Sequence, residues 1–156
     1  MVIQESSDWN GYEHVSSPPI VVWPDRDAPL SAEIPEPARK AFEEARVCHR
    51  AGQFTAAALM VRRTLEAVCV DKGATGNSLN SKLNDLKNKE IIEGKLTDWS
   101  HDLRALGNEA AHDTAVFIGA VDAQDALELA EALLNYVYVL NAKYNAFKAR
   151  RSGPSN

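Results

Sequence analysis

The sequence is poor in the residues that build covalent or metal-held sites. Only two of its 156 residues are cysteine, Cys48 and Cys69, each inside an apolar helical pattern, and no Cys-x-x-Cys pair exists. That rules against a disulfide scaffold and reads as two buried, reduced thiols of a cytoplasmic protein, ahead of a disulfide or a catalytic thiol. The four histidines, His14, His49, His101 and His112, are scattered with no His-x-x-x-His and no clustered carboxylates. No metal site and no cofactor is therefore expected. There is no glycine-rich phosphate loop, no internal repeat and no sustained heptad run. The most apolar stretch, Ala132 to Leu140, is short and broken by Asn135, so no membrane span is expected. The first residues, MVIQESSDWN, lack the basic start and apolar run of a signal peptide. Cationic excess is missing too: 17 Lys and Arg stand against 22 Asp and Glu, a formal charge of -5. Such a surface does not coat a nucleic-acid backbone, although a locally basic cleft for a short RNA end or a nucleotide stays open.

What is present is a globular composition, 45% hydrophobic and 25% charged. Residues 1–34 differ from the rest, because Pro18, Pro19, Pro24 and Pro29, with Pro35 just beyond, favour extended backbone and deny helix hydrogen bonds. Trp9, Tyr12, Ile20, Val21, Val22 and Trp23 give this arm too much apolar surface for a solvated tail, so part of it is expected to lie over the body or a partner. Strand-like patterning is confined to Ile20–Trp23.

From residue 35 to 149 the periodicity predicts an all-α bundle of about five helices, followed by a disordered tail at 150–156. Pro37 in a first turn opens a helix that ends near Ala51-Gly52. A second runs from Gln53 to about Lys72 with Gly73 as its C-cap, and its apolar residues surround most of the wheel, which marks it as the most buried. Its exceptions are Arg62, Arg63 and Glu66, candidate ligand-binding residues. An intrahelical ion pair to Glu66 is one account of them, and an arginine facing a cleft beside Arg104 is the other. Asn77 or Ser78 caps a third helix bearing Leu79, Leu83 and Leu86. The last helix opens at Asp122 and carries Ala126, Ala130, Leu133, Val137, Leu140, Tyr144 and Phe147 every three or four residues. Leu134, Tyr136 and Tyr138 widen its apolar face beyond one stripe, which suggests a dimer interface.

The fourth helix, from Leu96 or Thr97, holds the candidate site. At roughly 100° per residue, Trp99, Leu103, Leu106 and Ala110 of WSHDLRALGNEAAHD share one arc, and His101, Arg104, Asn108 and His112 share the opposite one. The second arc stacks a cation, an amide and an imidazole at i, i+4 steps, where they can converge on one ligand. It carries no Lys, unlike an ordinary solvated face. Gly107 costs about 1 kcal/mol against Ala in a helix interior, which suggests the close approach of another backbone.

This order of parts, with AAALMVRRTLEAVC, then Arg62-Arg63-x-Leu65-Glu66 and LRALGNEAAHD, resembles the bacterial domain-of-unknown-function family DUF4145, of the HEPN-like helical bundles, over roughly residues 15 to 145. The resemblance implies a dimerising bundle that binds RNA, a nucleotide or a partner protein, in phage defence or restriction systems. Many HEPN-like domains are metal-independent endoribonucleases with an Arg-x(4 to 6)-His pattern, the Arg followed by a polar residue. Asn108 and His112 match that pattern; Gly107 occupies the place of the Arg, and Arg104 sits one turn early. One hypothesis is therefore catalytic, with His112 as general acid or base and Arg104 neutralising phosphate in a cleft shared by two copies. The other is a degenerate homodimer in which Arg104, Asn108 and His112 bind without cleaving, and Gly107 favours it.

Overall fold

The computed structural model describes residues 28–153, and before them the backbone of four short strands. The chain divides into two compact units, Met1–Leu30 and Ser31–Asn156. In the first, β1 (Val2–Gln4) pairs antiparallel with β4 (Ile20–Val22), and β2 (Ser7–Trp9) pairs antiparallel with β3 (His14–Ser16). The β-branched run Ile20-Val21-Val22 thus forms a strand, as its residue types favour. The packing expected of Trp9, Tyr12 and Trp23 concerns side chains outside the described residues.

The second unit is the expected all-α bundle. It consists of α1 (Glu36–Arg50), α2 (Phe54–Asp71), α3 (Leu79–Asn88), α4 (Gly94–His112) and a long final rod. That rod is α5 (Ala120–Leu134), a π-helical segment (Asn135–Leu140) and α6 (Asn141–Ser152), run end to end. Arg150 and Arg151 lie in the last helical turn of α6, beyond the end near Ala149 that periodicity suggests, where their charges complement the carbonyl end of the helix. Ile34, within the expected arm, is fully buried, and its N–H closes a turn on the Ser31 carbonyl.

α2 is the centre, packing against α1, α3, α4 and α5. Its buried residues Ala57, Ala58, Val61, Leu65, Val68 and Cys69 cover several sides of the helix, which is why no single polar face could be read from it. Gly73 ends it with φ +63°, a left-handed conformation natural for the residue that follows a helix. Ser78 caps α3 through a reciprocal box with Ser81, each hydroxyl accepting from the other's backbone N–H. The loop after α4 closes one end of the bundle: Ile118 is buried with Ala58 and Ala123, and its N–H donates to Thr55 Oγ1 at 3.0 Å. Phe117 beside it is 82% exposed. Among the described residues no helix is long and apolar enough to cross a membrane.

α4 corrects the expected core stripe. Its buried residues are Thr97, Ser100, Leu103 and Gly107, while Trp99, Leu106 and Ala110 are only half-buried. The helix is turned by roughly a fifth of a revolution from the orientation its apolar letters suggest. Ser100 makes this possible, because its Oγ donates to the Leu96 carbonyl at 2.7 Å and so enters the core as a small, internally satisfied side chain, whereas Thr97 Oγ1 is buried without a hydrogen-bond partner.

Candidate functional site on the α2–α4 seam

The turn of α4 leaves Arg104 and Asn108 half-buried and brings Gly107 of the same helix against α2. There Arg62 lies across Gly107, so close that a Cβ on residue 107 would stand 2.5 Å from Arg62 Cβ and 3.0 Å from Cδ. The glycine is the gap through which an arginine stem passes between two helices. Arg62 Nη1 also reaches Glu66 Oε1 at 3.2 Å, which is the intrahelical ion pair expected of it, while its stem packs on Gly107 of α4. The Nε atoms of Arg62 and Arg104 are both buried and have no hydrogen-bond partner. Buried donors in this state are rare, and a guanidinium donor is suited to a carboxylate or phosphate oxygen.

The other expected site residues are spread around this pair. Arg63, turned about 100° around the helix from Arg62, is exposed and lines a groove between α1 and α2 with Lys40, Glu44 and Met60. His112 is exposed in the last turn of α4, eight residues and about 12 Å along the axis from Arg104. His101 is drawn toward α3: its Nε2 lies 3.1 Å from Asn84 Oδ1, and because that oxygen accepts, Nε2 carries the proton. Burial, then the neighbouring Arg104 charge, pull the His101 pKa below its usual 6.5.

This histidine gives a direct check. Its NMR titration midpoint is expected below 6.5 and should rise in Arg104→Gln, although not to the free value, since burial is the larger cause. Because the folded-state value is the lower one, protonation opposes folding. His101 therefore takes stability away as pH falls below about 6.5, and nothing above it. A midpoint indifferent to Arg104→Gln would mean that the two groups do not share a field.

Sequence patterning marked Asn77 and Ser78 only as cap candidates and did not mark Lys82, yet all three join Arg62 and Glu66 around a groove of about 490 Å³ at the start of α3. The one available signal was the N-cap motif itself, which places backbone N–H groups near a basic residue. Cys69 is buried and pushed up to about 11 by that burial, so it is a packing thiol; Cys48 is half-buried and also unpaired. No group of three or more metal-ligating side chains occurs among the described residues.

The chain matches a known family over residues 43–150, from late α1 through α6, a span that includes every residue of the seam. It belongs to the DUF4145 family. The description of DUF4145 is a domain of unknown function, so membership fixes kinship without naming a ligand. No curated protein and no solved structure matches the chain. Within this DUF4145 chain, Arg62 crosses Gly107 at the α2–α4 junction, and Arg104 stands about one turn before that glycine on α4.

Proposed function

We propose that this chain is a HEPN-like, homodimeric binding module that holds a phosphate-bearing ligand, RNA or a nucleotide, on the α2–α4 seam without cleaving it. The observation that carries the proposal is the pair of buried, unpartnered Nε donors of Arg62 and Arg104 beside Gly107. A phosphate oxygen would give these guanidinium donors the acceptors the protein withholds, once the side chains swing outward to meet it. Asn108 adds an amide to the same edge, and Glu66 holds Arg62 in place. The separation of His112 from Arg104 is too great for both to act on one phosphate within one chain, which favours binding over cleavage.

Fluorescence anisotropy with labelled single-stranded RNA, competed by ATP or inorganic phosphate in the presence of EDTA, tests this. Arg104→Gln is expected to weaken binding at least tenfold and to flatten the dependence of log K on log salt by roughly 0.7, the loss of one phosphate contact. RNA affinity unchanged in both Arg104→Gln and Arg62→Gln would overturn the seam as the site. RNA cut in EDTA by wild type and not by His112→Ala would replace the proposal with the endoribonuclease, in which His112 of a second copy meets Arg104.

A further inference from the structure

The final rod leaves the bundle with a face that is exposed from Leu140 onward and half-buried at Leu129 and Tyr136 before it, where the Tyr136 hydroxyl donates to Glu93 Oε1 at 3.4 Å. Leu129, Ala132, Tyr136, Leu140, Tyr144 and Phe147 recur every three or four residues along it. Leu140, Tyr144 and Phe147 are each more than half exposed, at 53%, 58% and 53%. α6 has no buried residue and packs against none of the other bundle helices. The two ends of the stripe differ in charge. At the start, Asp122 and Asp125 with Asp102 of α4 rim a groove of about 260 Å³ whose floor includes Leu103, Leu106 and Leu129. At the finish stand Lys143, Lys148, Arg150 and Arg151, all exposed.

From this arrangement we infer that the rod pairs antiparallel with the rod of a second copy of the chain, about a two-fold axis close to Tyr136. A two-fold interface requires that if residue i meets residue j, then j meets i. The stripe satisfies that condition. With Tyr136 opposite its own copy, Ala132 falls opposite Leu140, Leu129 opposite Lys143 and Tyr144, Asp125 opposite Phe147 and Lys148, and Asp122 opposite Arg150. Apolar residues then meet at the centre, and each acidic groove receives the basic end of the partner's α6. Parallel pairing would set acid on acid at one end and base on base at the other. The rod from Asp122 to Arg150 is roughly 40 Å long, enough for an interface of standard size.

The pairing rests on the homodimeric part of the proposed function and names its surface. It is separate from the phosphate seam, because Asp102 and Leu106 lie on the side of α4 opposite Arg104 and Asn108. The seam therefore stands outside the subunit groove in which the sequence alone sets it.

Light scattering and sedimentation of the full chain at micromolar concentration test the inference. Wild type is expected at twice the 17.1 kDa chain mass. Tyr144→Glu, at an exposed position, should keep the helical circular dichroism and raise the dimer Kd at least 100-fold. Asp122→Lys or Arg150→Asp alone should raise it about tenfold. The double variant Asp122→Lys/Arg150→Asp should restore it, since the swap preserves complementarity only where those two residues face each other across copies. A monomeric wild type overturns both this pairing and the homodimeric reading. A dimer indifferent to Tyr144→Glu overturns this surface while leaving dimerisation standing. Failure of the double variant to restore affinity overturns the antiparallel register. RNA binding by the seam is scored independently in each case.

Discussion

Gly107→Ala is expected to destabilise the protein by about 2 kcal/mol, although the same change in an ordinary helix interior stabilises by about 1 kcal/mol. The sign reverses because the added methyl has no room: Arg62 Cβ would be 2.5 Å away, and Cδ and Cγ 3.0 and 3.1 Å. The nearest of these atoms is fixed to the α2 backbone, so the arginine cannot relieve the clash by changing rotamer. Either α2 and α4 separate or the helix bends. A double-mutant cycle in urea distinguishes this cause from a general loss of helix quality. Arg62→Ala should rescue Gly107→Ala only in part, because it keeps Cβ. Arg62→Gly should remove the conflict, so that Gly107→Ala regains its ordinary stabilising sign in that background. If Gly107→Ala stabilises the wild-type chain, the close approach of the two helices is wrong.

The second large effect lies at a buried charge. Arg46 is 5% exposed, with Nη1 3.0 Å from Glu43 Oε1 and Nη2 3.0 Å from Glu131 Oε1, and its guanidinium lies over the Phe42 ring at 5.0 Å. It ties α1 to α5, elements remote in sequence. Glu131→Ala should cost about 3 kcal/mol, since it removes the more buried carboxylate and leaves a desolvated cation short of a partner. Glu43→Ala, on a carboxylate nearly half exposed at 45%, should cost only about 0.5 kcal/mol. Arg46→Met, which keeps much of the stem and deletes the charge, should cost less than Glu131→Ala. Urea midpoints at constant slope measure all three. Equal losses for the two glutamates would show that burial does not set the strength of this junction.

Much of the bundle was legible because its signals are local. Pro37, Gly73 and the Ser78 cap mark helix ends through backbone chemistry that needs no tertiary partner, and each sits where that chemistry places it. Gly107 was legible as a point of close approach for the same reason: its cost in a helix has to be offset by something. What periodicity could not give was the rotation of α4, because a hydropathy pattern counts Ser100 and Thr97 as polar and Trp99 as core. In the fold Ser100 is satisfied by its own helix and disappears into the interior, while the large indole stays at the boundary. The rotation leaves Arg104 and Asn108 half-buried and His112 exposed, with His101 held by Asn84 of α3. Lys82 and Asn84 escaped notice because only the packing of α3 against α2 and α4 brings them near Arg62 and His101. Nothing in its own helix singles out Arg46, because Glu131, the more buried of its two carboxylates, lies on α5.

The π-helical segment Asn135–Leu140 sets the phase between two halves of one rod. A π turn accommodates about one residue more than an α turn, so it advances everything after it around the helix axis without breaking the chain's direction. Within the segment Val137 and Tyr138 point inward, with the Tyr138 hydroxyl donating to Asp71 Oδ2 at 2.9 Å, and at its end Leu140 stands exposed. A relative one residue shorter here would keep the same five-helix body and yet present a different side of α6 to the outside. In such a lineage a single codon gained or lost in the rod would act as a dial for what the body can associate with, leaving its fold untouched.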